Sequence, residues 1–386
     1  MSFEAGVHNG SRPVVVLSAN TAWFITNFCG GLVRGLRTAG YRPVAIAPQD
    51  SAATAALGQL DLEHYHVHID RSGANPVADL RLLREYRDLL TKLRPAAYFG
   101  FTIKPNIYGS IAARRLGIPS IATVSGLGTA FMRRGPLQSI VTRLYRFGFR
   151  NAAAVFFQNN EDCSLFVRHG LVRPEQGRVV PGLGVDLVYF SKTPLPDGPP
   201  TFLLIARLLR DKGVIEYIEA ARLVRSSMPK SRFQLLGPVD HGNRTAIAET
   251  ELDGWVKEGV VEYLGARDDV RPAITAASAV VLPSYREGMP RALLEGAAMG
   301  RPLIATDVPG CRDVVVDGQT GYLCAPRDPV SLASAMRRLA ELPAKERAAM
   351  GEAARRRIQE RFSDTLVVRA YLDALGSAQA AQPGTR

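Results

Sequence analysis

Two glutamates with seven residues between them, Glu287 and Glu295, frame the stretch Pro283-Ser284-Tyr285-Arg286-Glu287-Gly288-Met289-Pro290-Arg291-Ala292-Leu293-Leu294-Glu295-Gly296. An apolar run, Ala279 to Leu282, precedes it and reads as a buried strand. Pro290 stands where the first turn of a helix would begin. The pattern is strand, short loop, helix, with the helix N-terminus open at the carboxyl edge of a sheet. Such an end carries unpaired N–H groups and partial positive charge, which suits a phosphate or another anion. Glu295 falls among Ala292, Leu293, Leu294, Ala297, Ala298 and Met299. A carboxylate in those surroundings is rarely buried without a partner, and a ligand hydroxyl would be one.

A second group of charged residues lies upstream, in Leu204-Ile205-Ala206-Arg207-Leu208-Leu209-Arg210-Asp211-Lys212-Gly213. Arg207 follows a buried strand and Lys212 opens a helix, so both charges point to the level of the Glu287 helix end. Together they can hold a diphosphate and stabilise it as a leaving group without a metal. Taken alone, Arg207 reads as the partner of a carboxylate and Lys212 as solvated. With the Glu287 unit beside them, the phosphate reading is the better one.

The elements that would position these groups alternate along the whole chain. Strands are expected at Val14–Leu17, Val44–Ile46, Tyr65–Ile69, Ala97–Phe101, Ser120–Val124 and Ala153–Phe157, with helices between them. Ser18 to Thr26 reads as a loop carrying Trp23 and Phe24, and Asn160 as the N-cap of the helix that follows it. Ser191 to Pro200 is too rich in proline to hold a helix or an inner strand, and the alternation restarts at Thr201. The division is therefore residues 1–190, a linker 191–200, residues 201–362, and a last segment 363–386 that returns to the first domain. Alternation of this kind implies an α/β fold of two doubly wound Rossmann-like domains facing across a cleft, with ligands at the carboxyl ends of the strands.

Composition narrows the class. Of 386 residues 46% are apolar and 22% charged, as in ordinary globular proteins. No apolar run reaches the roughly 20 residues that span a bilayer, and Met1 to Arg12 lacks a signal-peptide core, so the expected location is the cytoplasm. The four cysteines are scattered, which argues against a disulfide framework or a zinc site. The net charge of +12 is uneven: Leu89 to Asn160 contains no Asp or Glu, and it holds ten Lys and Arg residues. Such a field seeks a pyrophosphate, an anionic lipid surface or nucleic acid. His64, His66 and His68 share a strand face, yet same-face neighbours lie too far apart for tetrahedral ligation, and no carboxylate or cysteine completes the set.

The Glu287–Glu295 pair with Arg207 and Lys212 resembles the retaining GT-B glycosyltransferases of family 4. The resemblance runs over nearly the whole chain, including Pro181-Gly182-Leu183-Gly184-Val185-Asp186. It implies that Arg207 and Lys212 bind the donor phosphates, that Glu287 contacts the donor sugar and that Glu295 binds the ribose hydroxyls. It places Gly288, Met289, Arg291, Leu294, Gly184 and Asn160 at the nucleotide sugar. In the first domain, Phe101 to Gly109, Thr123 to Phe131 and Phe157 to Asp162 resemble a subgroup that builds lipid-linked oligosaccharides and surface polysaccharides. That subgroup includes the N-acetylgalactosaminyltransferase that extends polyprenyl-diphosphate-linked bacillosamine. Many family members carry a histidine in the loop after the fifth strand, and here that loop reads Ser125-Gly126-Leu127-Gly128.

The resemblance thus implies transfer of a hexose or N-acetylhexosamine from a nucleotide diphosphate, UDP above all, to a polyprenyl-diphosphate-linked saccharide, with no cofactor and no metal. Lys104, Asn106, Phe24, Ser125 and Arg133 are the expected acceptor contacts. Pro136 to Arg150 reads as a basic amphipathic helix, apolar at Leu137, Ile140, Val141, Leu144 and Phe147 or Gly148, and suited either to its own sheet or to the anionic inner face of the plasma membrane. The rivals are a nucleotide-sugar 2-epimerase of similar plan and a basic nucleic-acid-binding protein. No nucleic-acid module is recognisable, so nucleic acid is not the expected partner.

Overall fold

The computed structural model describes residues 12–49, 57–58, 60–70, 75–126 and 136–381. It divides into two compact units, one made of Met1–Leu183 and Val367–Arg386, the other of Gly184–Leu366. The first is built on a seven-stranded parallel sheet: β1 (Val14–Ser18), β2 (Arg42–Ala47), β3 (Glu63–His66), β4 (Ala97–Gly100), β5 (Ser120–Val124), β6 (Ala154–Phe157) and β7 (Gly177–Val179). Its order is β3-β2-β1-β4-β5-β6-β7. The second is built on a six-stranded parallel sheet of β8 (Thr201–Ile205), β9 (Arg232–Leu236), β10 (Glu262–Tyr263), β11 (Ala279–Leu282), β12 (Leu303–Thr306) and β13 (Gly321–Cys324), in the order β10-β9-β8-β11-β12-β13.

The central strands are buried at every position because helices cover both faces of each sheet. In the first unit one face packs against Leu82, Tyr86, Ile111, Tyr145 and Phe149. The other packs against Ile25, Leu32, Leu36, Val367, Tyr371 and Leu375. These six residues are drawn from both ends of the chain. The helix Asp364–Ala380 supplies Val367, Tyr371 and Leu375, and its Tyr371 hydroxyl bonds the Thr123 hydroxyl in β5.

Local chemistry moved several boundaries. The second unit begins at Gly184 rather than after residue 190, because Val185 and Phe190 pack with Leu293, Leu294 and Ile358. Gly184 adopts φ +71, and a Cβ there would meet Asp364 Cα at 2.5 Å, so its glycine serves a backbone crossing. At that crossing the Val185 N–H donates to Phe362 O at 3.0 Å and the Asp364 N–H to Val185 O at 3.1 Å. The proline-rich stretch is held by Arg301, which is wholly buried and donates to Thr193 O at 2.8 Å and Pro194 O at 2.7 Å. Burial pulls the Arg301 guanidinium down to about 10.

Residues 22–28 form a helix, not a loop: the Thr21 hydroxyl accepts from the Phe24 N–H at 3.1 Å and caps it. The cap expected at Asn160 belongs to Asn159, whose side-chain oxygen accepts from the Asp162 N–H at 2.8 Å, while Asn160 is the exposed first residue of the helix. The stripe expected on Pro136–Phe149 splits. Val141, Leu144, Tyr145 and Phe149 pack on the sheet, whereas Ile140 and Phe147 stay exposed beside Arg143, Arg146 and Arg150.

Candidate functional site

β8 and β11 are hydrogen-bonded neighbours, so the loops that leave their carboxyl ends are adjacent. The first carries Arg207 and Lys212, the second Ser284 to Gly288. Tight backbone contacts seat them together. Gly213, at φ +74, would drive a Cβ into Pro283 O. The Tyr285 N–H donates to Asp211 O at 3.0 Å. On the far side Gly310, at φ +80, would place a Cβ 2.7 Å from Glu287 O and Gly288 O. These are positions where any larger residue displaces the loop.

The outcome is a close ion pair. Lys212 Nζ lies 2.5 Å from Glu287 Oε1, and the Ser284 hydroxyl donates to the same oxygen at 2.6 Å. Both side chains are mostly buried, 23% and 11% exposed. The solvated lysine that Lys212 suggested in isolation is therefore not found: Glu287 claims its charge. Arg207 Nη1 lies 2.7 Å from Asp240 Oδ2, and this pair is far more open, at 54% and 32% exposed.

The helix Arg291–Ala298 follows Pro290, and no side chain caps its N-terminus. The Leu293 N–H turns back to Pro290 O at 3.1 Å, and the partial positive charge of a helix start suits an anion there. Glu295 is buried, and its partner is not only a prospective ligand: Arg291, one turn earlier, donates Nε–H to Oε1 at 2.5 Å. Burial pushes the Glu295 carboxyl above its ordinary value, and Arg291 opposes that shift. Leu294 lies in the core of the second unit, so its side chain is not on a ligand surface. Met289 is half-buried against the same core.

Among the expected acceptor contacts, Lys104 Nζ meets Asp79 Oδ1 at 2.7 Å, with the Tyr108 hydroxyl donating to Oδ2 at 2.8 Å. Asn106 is buried, and its side-chain N–H donates to Thr123 O of β5 at 2.8 Å. Phe24 packs between Phe28 and Phe101, at centroid distances of 4.9 and 5.9 Å. Ser125 is half-buried, and Arg133 lies outside the described residues. The histidine set is not left without an acid: His68 Nδ1 sits 2.9 Å from Glu85 Oε1. Among the described residues no group of three or more His, Cys, Asp or Glu is placed to hold a metal ion. Asp240 and Asp79 went unnoticed in the sequence, since each sits more than 20 positions from its partner and no local pattern marks it.

The chain matches two family models, "Glycosyl transferase 4-like domain" over residues 25–182 and "Glycosyl transferases group 1" over residues 199–341. Anabaena HepE, solved in complex with UDP and glucose, shares the fold with a TM-score of 0.79 at 19% identity, over 95% of this chain and 100% of that one. The chain belongs to the GT-B glycosyltransferases. Among curated relatives of this glycosyltransferase is the N,N'-diacetylbacillosaminyl-diphospho-undecaprenol alpha-1,3-N-acetylgalactosaminyltransferase of Campylobacter jejuni, 28% identical over 77% of this chain and 81% of the relative. Another is the UDP-Gal:alpha-D-GlcNAc-diphosphoundecaprenol alpha-1,3-galactosyltransferase of Escherichia coli, 26% identical over 69% and 71%. No helix among the described residues is long and apolar enough to cross a membrane.

Proposed function

We propose that this glycosyltransferase is a retaining enzyme that moves an N-acetylhexosamine or hexose from UDP to a polyprenyl-diphosphate-linked saccharide. The observation that carries the donor half is the convergence of Lys212 and Glu287, 2.5 Å apart, on the strand edge where Arg207 and the uncapped helix Arg291–Ala298 also end. The lysine, the arginine and the helix N-terminus offset the charge that grows on the leaving diphosphate. Glu287 holds Lys212 and is close enough to the same place to contact the donor sugar. Glu295 accepts from the ribose hydroxyls while Arg291 keeps its carboxylate turned toward the helix start. The acceptor hydroxyl attacks the anomeric carbon on the face that the diphosphate leaves, and its proton passes to the departing phosphate oxygen. No histidine base and no metal enters this scheme.

The acceptor half rests on the two relatives whose names specify undecaprenyl-diphosphate sugars. In this chain Lys104 follows β4, and the outer face of Pro136–Phe149 would present Ile140, Arg143, Arg146 and Phe147 to an anionic membrane. One experiment tests the whole reading. A panel of nucleotide sugars is incubated with a polyprenyl-diphosphate sugar in anionic vesicles, with and without EDTA. The expected outcome is acceptor-dependent release of UDP, an α-linked product and no loss with EDTA. Donor turnover without acceptor would instead mark an epimerase, and a strict need for a divalent ion would remove the cation account.

A further inference from the structure

The two ion pairs at this strand edge differ in how firmly they are held. Lys212–Glu287 is mostly buried and shares the Ser284 hydroxyl, so separating it would strand a charge in poor solvent. Arg207–Asp240 is open to water on both sides, where an ion pair is worth little. An anion arriving at this edge therefore exchanges with Asp240 and leaves Glu287 in place.

The loop that bears Asp240 does not depend on this pair. Its backbone is stitched to the β8 loop at both ends: the Leu208 N–H donates to Pro238 O at 2.9 Å, the Arg210 N–H to Thr245 O at 2.7 Å, and the Ile247 N–H to Leu208 O at 3.0 Å. A turn closes it, with the Asn243 N–H donating to Asp240 O at 2.9 Å. The carboxylate is thus presented to Arg207 on a frame that persists when the pair opens.

We propose that Asp240 is a positioning residue that holds Arg207 between turnovers and competes with the nucleoside diphosphate for it, setting how tightly that product is retained. This rests on the reading that Arg207 meets the donor phosphates. The competing carboxylate keeps the guanidinium aligned when the site is empty, and it returns to Arg207 as the diphosphate departs.

Titration calorimetry of the full chain with UDP tests this. Asp240→Asn keeps the shape and removes the charge, and UDP affinity is expected to rise about two- to fivefold, the span an exposed ion pair is worth. Asp240→Glu should restore wild-type affinity, and Asp240→Asn should change nothing in an Arg207→Ala background. A purely structural role predicts weaker binding, so unchanged or weakened UDP affinity in Asp240→Asn overturns the proposal. Arg207→Ala separates the two readings. If it leaves UDP affinity intact, the donor role of Arg207 fails and the competition falls with it. If it weakens UDP while Asp240→Asn does not tighten it, only the role of Asp240 fails.

Discussion

Each unit carries a lysine–carboxylate pair at the carboxyl end of its sheet, and the two pairs are almost equally sheltered. Lys212–Glu287 is 23% and 11% exposed, Lys104–Asp79 16% and 15%. Their surroundings differ. Glu287 is gripped by backbone: Gly213 backs onto Pro283, Gly310 backs onto Glu287 and Gly288, and Ser284 adds a second donor. Asp79 sits in the first turn of a helix, Pro76–Leu93, and shares its charge with the Tyr108 hydroxyl. Around it Val77, Leu80 and Ile103 are exposed. The same ion pair is thus locked into loop backbone in one place and laid on an apolar rim in the other. On the proposed function, the first arrangement suits a small rigid anion. The second leaves a greasy surface beside a cation, which suits a lipid-linked group.

The largest effect expected from this contrast follows removal of Lys212. Lys212→Met strands Glu287 in a mostly buried position, which should cost about 2–4 kcal/mol in urea denaturation. Turnover should fall about 10²–10³-fold as one charge-stabilising donor is lost. The double variant Lys212→Met, Glu287→Gln should recover most of the stability and none of the activity. Recovery of both would reduce the pair to a structural brace and dissolve the difference between the two ends.

Lys104→Met sharpens the comparison from the other side. Tyr108 still donates to Asp79, so the expected stability cost is smaller, about 1–2 kcal/mol. The KM for a lipid-linked acceptor should rise while the KM for the donor stays unchanged. An equal rise in both would mean that Lys104 does not report on the acceptor.

The smallest effect is a pH dependence. Burial raises the Glu295 carboxyl, so the folded chain holds that proton to a higher pH than the unfolded chain does. Its contribution to stability is therefore present below the unfolded value and is lost as pH rises through the folded one. On the proposed function donor binding runs the opposite way, because ribose hydroxyls donate best to an ionised Glu295. Wild-type donor affinity should weaken on acidification at a pH above the ordinary range of a glutamate. Glu295→Gln should show weaker binding and a flat profile over that window, and a wild-type limb that persists in the variant would assign the titration elsewhere.

Much of the scaffold was legible because buried parallel strands leave uninterrupted apolar runs. Val14–Leu17 appears in the structure lengthened only by Ser18, and Ala97–Phe101 shortened only by its last residue. The Glu287–Glu295 unit was legible for a related reason: its strand, proline and helix are contiguous, so one local pattern holds them all. The helix Ala22–Phe28 was missed because its single cap, Thr21, carries no periodic signal before two aromatics. The outward turn of Ile140 and Phe147 was missed because an apolar stripe does not say which of its members the sheet covers.

The chain by itself determined which groups could do chemistry and which strand end each would leave from, since alternation and spacing are properties of neighbours in sequence. It could not say who pairs with whom. Glu287 with Lys212, Asp240 with Arg207, Asp79 with Lys104 and Tyr371 with Thr123 are contacts between distant segments. Only the packing of strands side by side brings those charges and hydroxyls within a few ångströms, and with it comes the decision of which cation is locked and which is free to exchange.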